Sequence, residues 1–245
     1  MGEQKNMKYC SINIVHYNKI DDFGEKSAGN SPSNRGELMK NLISSLEKNT
    51  DYPCEINVWD NGGNPDLTDE LVNGVRKGII NHLIRAKNNM HFAFAWNTLA
   101  KISTGDYFSF ICNDIEVLPK WLSTCIKILE DYPDKQWVAT PLITYDKRKH
   151  TLEITEEGYR VNMRSGSNCM VLKKDDWPKL GEFPIHRIGG SIWYTKNFRA
   201  GWRFVAPPND LAVDKGWRKG VNFSIPIKVE KKLLTGKIIN FEEKQ

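Results

Sequence analysis

Three carboxylates stand directly behind apolar runs: Asp60 after Cys54–Trp59, and Asp114 and Glu116 after Tyr107–Cys112. A carboxylate at a turn accepts hydrogen bonds from a base or a ribose, and one beside an open face holds a hard divalent cation that bridges phosphate oxygens. If the apolar runs are strands of an open α/β sheet, their carboxyl ends line one crevice, and distant positions converge on one ligand. Plainer readings stand beside these. Asp60-Asn61-Gly62-Gly63 is turn chemistry whatever the function, and Asp114 or Glu116 can cap a helix that opens at Pro119.

The elements that would position these groups follow from periodicity. Tyr9 to Tyr17 is an apolar-rich run, which suggests a strand buried on both faces. Asp21 to Gly36 is a long polar loop rich in Gly, Ser and Asn, and Glu37 to Lys48 has Leu38, Leu42, Ile43 and Leu46 at helical spacing. A second strand (Cys54–Trp59), a helix (Asp66–Lys77), a short strand (His82–Arg85) and a helix (Phe92–Lys101) come next. The strand Tyr107–Cys112 follows, and then a helix opened by Pro119 and reaching Leu129. Further strands are expected at Gln136–Thr140, Cys169–Leu172 and Arg203–Ala206. Strand and helix in alternation predict an α/β fold with a mostly parallel central sheet flanked by helices.

Composition narrows the class. The 245 residues are 40% hydrophobic and 27% charged, a globular balance. Mean hydropathy is −0.53 and no run of eighteen apolar residues occurs, which argues against a membrane span. The first residues lack an apolar signal core, so the expectation is a cytoplasmic protein. Cys10, Cys54, Cys112, Cys125 and Cys169 form no CxxC pair and mostly sit in apolar runs, as reduced core thiols would. The net charge of +5 lies entirely at one end. From Lys215 onward there are eight basic and three acidic residues, and 1–214 is neutral. A balanced body with a basic tail does not fit a nucleic-acid coat; it fits a tail that meets a phosphate or a membrane surface, or a solvated terminal face.

The order of these segments resembles a known family. Ile12 to Asn18 is similar to the opening strand of GT-A glycosyltransferases, in particular the large inverting family 2. Asp60-Asn61-Gly62-Gly63 resembles that family's Asp-Asn-Gly-Ser. Asn89 to Asn97, with Thr104-Gly105-Asp106-Tyr107 behind it, resembles the Asn-x-Gly-x-Ala-x-Ala-x-Asn helix and its Gly-Asp-Tyr sequel. Phe110 to Leu122 resembles the strand, DxD-like turn and Pro-x-Trp-Leu segment. The resemblance implies a single GT-A (Rossmann-like) domain over 1–245, with a nucleotide half at about 9–125, an acceptor half at about 126–216 and a basic tail at 217–245. By position it implies that Tyr17, Asn18, Asp60, His91, Asn113 and Asp114 lie beside the nucleotide. Asp114 matches the metal-binding carboxylate of the DxD turn, Cys112 replaces its first carboxylate, and Glu116 either helps with the metal or caps a helix.

The second half departs from the pattern. Arg164 to Lys174, then Leu180-Gly181-Glu182-Phe183, is similar to the family's acceptor stretch, where Glu-Asp should follow and its Asp is the general base. Gly189-Gly190 is followed instead by Ser191-Ile192-Trp193. Ser cannot deprotonate an acceptor unaided. Three alternatives stay open: His186 serves as base, the reaction retains configuration so that the leaving diphosphate takes the proton, or the protein binds a nucleotide-sugar without transferring it. Asp214 occupies the place of a metal-binding His and remains a competent oxygen ligand for Mn2+ or Mg2+. Lys215, Arg218 and Lys219 follow it and could close over the diphosphate. Trp193 and Trp217 are candidate stacking faces for an acceptor, against the plainer reading of core packing.

The expected activity is therefore metal-dependent transfer of a sugar, UDP-linked, to a hydroxyl on a glycan, lipid-linked glycan or protein. No nucleic-acid partner is expected, and a peripheral membrane contact through the basic tail is. Rival readings are a nucleotide-sugar-binding protein without transferase activity and a nucleotidyltransferase. The latter should carry a Gly-rich basic loop after the first strand, where His16 to Asp21 has no Gly.

Overall fold

The computed structural model describes residues 7–16, 35–61, 65–142, 151–164, 169–186 and 189–215. In chain order the elements are β1 (Cys10–His16), α1 (Arg35–Asn49), β2 (Cys54–Asp60), α2 (Pro65–Arg76), β3 (His82–Arg85), α3 (Phe92–Ile102), β4 (Tyr107–Cys112), β5 (Ile115–Val117) and α4 (Trp121–Asp131). The second half adds β6 (Trp137–Ala139), β7 (Thr151–Ile154), β8 (Arg160–Asn162), β9 (Cys169–Lys173), α5 (Trp177–Leu180), α6 (Gly189–Arg199), β10 (Arg203–Ala206) and β11 (Ala212–Asp214). Tyr17, Asn18, Trp217, Arg218, Lys219, the rest of the basic tail and most of the long loop before α1 lie outside the described residues.

The large sheet has the order β3-β2-β1-β4-β9-β6-β10-β8-β7. β3, β2, β1 and β4 run parallel, as the strand–helix alternation predicts. Beyond β4 the sheet is mixed, with β9 antiparallel to β4 and β10 parallel to β6. Among the described residues this is one α/β domain with helices on both faces of one sheet.

Alternation along the strands separates the two layers. Ile12 and Ile14 of β1 pack with Met39, Leu42 and Leu46 of α1 and with Ile126 and Leu129 of α4. Val15, Phe108 and Phe110 face the other way, against Ala93, Trp96 and Leu99 of α3 and Trp193 of α6. Every residue of β1 is buried, the polar Ser11, Asn13 and His16 included, as befits a central strand covered on both faces. Trp96 is nearly inaccessible and ringed by Phe92, Phe110 and Phe183 at 5.3–5.7 Å. Truncating such a side chain costs about 3–5 kcal/mol.

Two polar devices set the register of the central strands. Asn13 Oδ1 accepts from Asn57 Nδ2 (3.2 Å) and Ser103 Oγ (2.9 Å), which pins β1 to β2 and to the end of α3 inside the core. Gly105 approaches β1 so closely that a Cβ there would lie 2.7 Å from the Ser11 amide nitrogen. Only glycine lets β4 begin at that level.

Several expectations are corrected. Pro119 does not open a helix. The Leu118 amide donates to the Leu211 carbonyl at 2.9 Å, holding that residue in an extended ladder, and Lys120 takes a left-handed φ of 67°, so α4 starts at Trp121. Glu116 is accordingly no helix cap; it lies within β5, which pairs with β11. The strands β5, β7, β8 and β11 and the helix α6 are not among the predicted elements.

Candidate active site

The parallel strands deliver a row of polar side chains to their carboxyl ends. Register aligns Arg85 of β3 with Asp60 of β2, Asp60 with His16 of β1, and Val15 with Cys112 of β4. Arg85 Nε lies 3.4 Å from Asp60 Oδ2, and the Asp60 side chain is only 3% exposed, so a buried carboxylate sits at the floor with a half-exposed cation over it. On the other side the Asn113 side-chain amide donates to His16 Nδ1 at 2.9 Å. Asp60 and Asn113 are candidates by sequence; His16 and Arg85 are not, and the structure adds them. Their signal was available, since both end strands in line with Asp60.

Asn113 and Asp114 form the turn between β4 and β5. β11 returns antiparallel to β5, setting Asp214 opposite Ile115 and Val213 opposite Glu116. The Lys215 amide donates to the Asp114 carbonyl at 2.8 Å. A three-residue ladder thus brings Asp114, Glu116, Asp214 and Lys215 together from two segments far apart in sequence. Directly opposed residues share a face, so Asp214 lies on the Ile115 face and Glu116 on the other. Glu116 Oε2 is engaged by Lys215 Nζ at 2.9 Å. Among the described residues no three His, Cys, Asp or Glu side chains gather as a metal cage. Asp114 and Asp214 offer hard oxygens suited to a cation whose remaining ligands are water and phosphate; Glu116 is drawn away by its own strand.

A second group adjoins Asp60. The main-chain amide of Asn61 donates to the His16 carbonyl at 2.8 Å. Its side chain accepts from the Met90 amide at 2.7 Å and donates to Asn89 Oδ1 at 2.7 Å. The loop so held ends in His91, at φ 71°, which caps α3 by accepting from the Ala93 amide at Nδ1, 3.2 Å away. That positive φ accounts for the glycine at this place in the family pattern. With Nδ1 an acceptor, the ring proton of neutral His91 is on Nε2, and the ring bonds to the main chain of His186. Partial burial, with the neighbouring His186 ring adding to it, holds the His91 imidazole below the ordinary histidine range. The two histidines, read from separate motifs, are therefore neighbours.

His186 is itself exposed, while its amide donates to the Pro184 carbonyl (2.9 Å) and its carbonyl accepts from the Gly189 amide (2.7 Å). α6 begins there, and no acid stands in its first turn. Ser191 is half-buried in that turn. A Cβ at Gly189 would lie 2.2 Å from the Pro184 carbonyl oxygen, so no side chain fits. Trp193 requires a correction. It is fully buried, its Nε1 donates to the Gly181 carbonyl at 2.8 Å, and its ring stacks on Phe183 at 4.7 Å. An acceptor cannot reach it; it is core.

Two cavities of about 330 and 400 Å3 lie elsewhere, one between α1 and α2 and one where β4 begins, and neither is lined by these residues. No described helix is long and apolar enough to cross a bilayer. All five cysteines are free thiols, with Cys10, Cys125 and Cys169 buried and pushed up in pKa by that burial.

Comparisons with known proteins agree with this architecture. The family model described as glycosyl transferase family 2 matches residues 33–192. No curated protein matches the chain. Among solved structures, a mannosyltransferase, PcManGT from Pyrobaculum calidifontis, in complex with GDP-Man and Mn2+, aligns with a TM-score of 0.63 at 16% identity, over 87% of this chain and 58% of that one. GalNAc-T7 with UDP, GalNAc and Mn2+ aligns at 0.61 and 16%, over 83% and 43%. TarS 1–349 of S. aureus aligns at 0.59 and 14%, over 84% and 59%. At such identities the likeness speaks to fold, and the chain spans 43–59% of the length of these structures.

Proposed function

The chain belongs to glycosyl transferase family 2, and on that premise we propose that it transfers a sugar from a UDP-linked donor to a hydroxyl acceptor, with a divalent cation, Mn2+ or Mg2+. The observation that carries this reading is the convergence of Asp60, Asp114, Asp214 and Lys215 at the carboxyl ends of the parallel strands, where such sheets bind ligands. Solved structures of the same fold carry UDP or GDP-Man with Mn2+, which supports a nucleotide donor and a metal.

In this reading Asp60 receives the base, with Arg85 holding its carboxylate in place. Asp114 and Asp214 hold the cation, which when bound neutralises the diphosphate and steadies the leaving group, a contribution of several kcal/mol. Lys215 adds a positive charge at the same turn. The acceptor oxygen forms its bond to the anomeric carbon as the bond to the diphosphate breaks, and the diphosphate leaves with the electron pair. The acceptor proton goes to a ring nitrogen of the His186 imidazole, a side chain whose chemistry suits proton transfer. Ser191 lies in the first turn of α6, within the same segment. The chain as a single domain with its acceptor half after about residue 126, Tyr17 and Asn18 at the nucleotide, Arg218 and Lys219 at the diphosphate, and Trp217 at the acceptor complete the proposal.

A second reading, binding without transfer, is favoured by the acid-free first turn of α6 and by the closed space at Gly189. One assay separates them. With Mn2+ and a panel of nucleotide-sugars, the transferase releases free nucleotide above the level seen with Asp114→Ala. Nucleotide binding with no release, across donors and acceptors, would establish the second reading and overturn the first.

A further inference from the structure

Two asparagines link the donor side of this site to its acceptor side. The Met90 and His91 amides are fixed donors, and they set the orientation of both side-chain amides. Met90 N–H points to Asn61 Oδ1 (2.7 Å), which turns Asn61 Nδ2 toward Asn89; His91 N–H points to Asn89 Oδ1 (2.9 Å), the oxygen that also receives Asn61 Nδ2 (2.7 Å). Trp59 Nε1 donates to Asn61 Oδ1 as well, at 3.2 Å. Asn61 is buried and follows Asp60 directly, while Asn89 is exposed on the loop.

We propose that Asn61 and Asn89 are positioning residues, a clamp that holds His91 at its positive φ so that its ring spans from the start of α3 to the main chain of His186. The clamp makes donor binding at Asp60 and the placement of the His186 segment one mechanical unit. This rests on the transferase reading given above. The His91 carbonyl also accepts from the Ala95 amide at 3.2 Å, but loss of the clamp releases the amide side of the left-handed residue, whose relaxed backbone would swing the ring off both partners. The His91 ring is otherwise steadied by its contact with Phe92, 4.6 Å between centroids.

The chemistry supplies a selective test. Asn89 acts only through its oxygen in these two bonds, so Asn89→Asp keeps both and Asn89→Ala loses both. Asn89 is exposed, and both variants are expected to fold. Nitrogen-15 NMR of the ring reports the clamp without any substrate. The native chain and Asn89→Asp should show His91 locked with its proton on Nε2 and titrating below the ordinary range. Asn89→Ala should show averaged tautomers and a titration moved back up. UDP affinity with Mn2+ should fall about five- to tenfold in Asn89→Ala and stay within about twofold in Asn89→Asp, as one or two lost hydrogen bonds imply. Combining Asn89→Asp with Asn61→Asp, which opposes two carboxylates, should unlock the ring again. The proposal is overturned if Asn89→Ala keeps the native tautomer, or if Asp and Ala at position 89 unlock the ring equally. Should UDP not bind the native chain, the donor reading fails, and the tautomer still decides the clamp.

Discussion

Lys215 Nζ stands 2.9 Å from Glu116 Oε2 because β11 pairs antiparallel with β5, and that pairing turns Glu116 away from Asp214. Two carboxylates that sequence spacing puts side by side, Asp114 and Glu116, thus have different work. Asp114 sits in the turn with its carbonyl tied to the Lys215 amide. Glu116 holds the lysine.

The first prediction follows from that division. Both members of the Glu116–Lys215 pair are 37–45% exposed, so the pair contributes little to stability, about 0–1 kcal/mol. Glu116→Gln should leave metal-dependent turnover within a few-fold of native, whereas Asp114→Asn should lower it by about a hundredfold or more, the scale of losing a charge at the leaving group. Initial rates against Mn2+ concentration measure both. Equal losses in the two variants would return Glu116 to the cation.

Asp60 gives the second. Its carboxylate is buried at the end of β2, with Arg85 Nε 3.4 Å from Oδ2. Asp60→Ala should weaken UDP binding about tenfold or more, with Asp60→Asn intermediate because it keeps one acceptor. Calorimetric titration provides the constants. An Asp60→Ala chain that folds and binds UDP as tightly as the native one would remove Asp60 from the nucleotide.

Much of this site is legible in the sequence, for a physical reason. β1, β2 and β4 are central strands rich in apolar residues, and the residues that end them announce themselves as turns. What is not legible depends on distant partners. β5 and β11 have three residues each, too few for a period, and exist because their backbones complete each other. The fate of Trp193 turns on where α6 docks; aromatic content alone favours neither a core nor a sugar platform. Asn61 reads as turn chemistry, yet its side chain spans to a loop that only the β2–β3 connection brings near.

A third prediction concerns pH. Burial lowers the His91 titration in the folded chain, so the folded state binds fewer protons there than the unfolded chain does. The stabilisation is complete above the ordinary histidine value of about 6.5 and is lost as pH falls through the lower folded value. Urea midpoints should drop between pH 7.5 and 5 by more in the native chain than in His91→Gly, which keeps the positive φ without the ring. Identical drops in both chains would show that His91 carries no such linkage.

The last prediction joins packing to chemistry at the start of α6. A side chain at Gly189 would meet the Pro184 carbonyl at 2.2 Å, a contact with backbone that cannot yield cheaply. Gly189→Ala should therefore destabilise by about 1–3 kcal/mol, visible as a lowered melting temperature. Ser191 offers the contrast. It is half-buried, stands in the first turn, and has no acid beside it. A carboxylate there meets the positive end of the helix, so Ser191→Asp should fold and gain about 0.3–1 kcal/mol. If His186 is a weak substitute for a missing carboxylate base, Ser191→Asp should also raise turnover and shift its acidic limb to lower pH, toward the titration of a carboxylate. A Gly189→Ala chain that melts with the native one would refute the close packing. A Ser191→Asp chain with unchanged rate and pH profile would leave position 191 out of the chemistry.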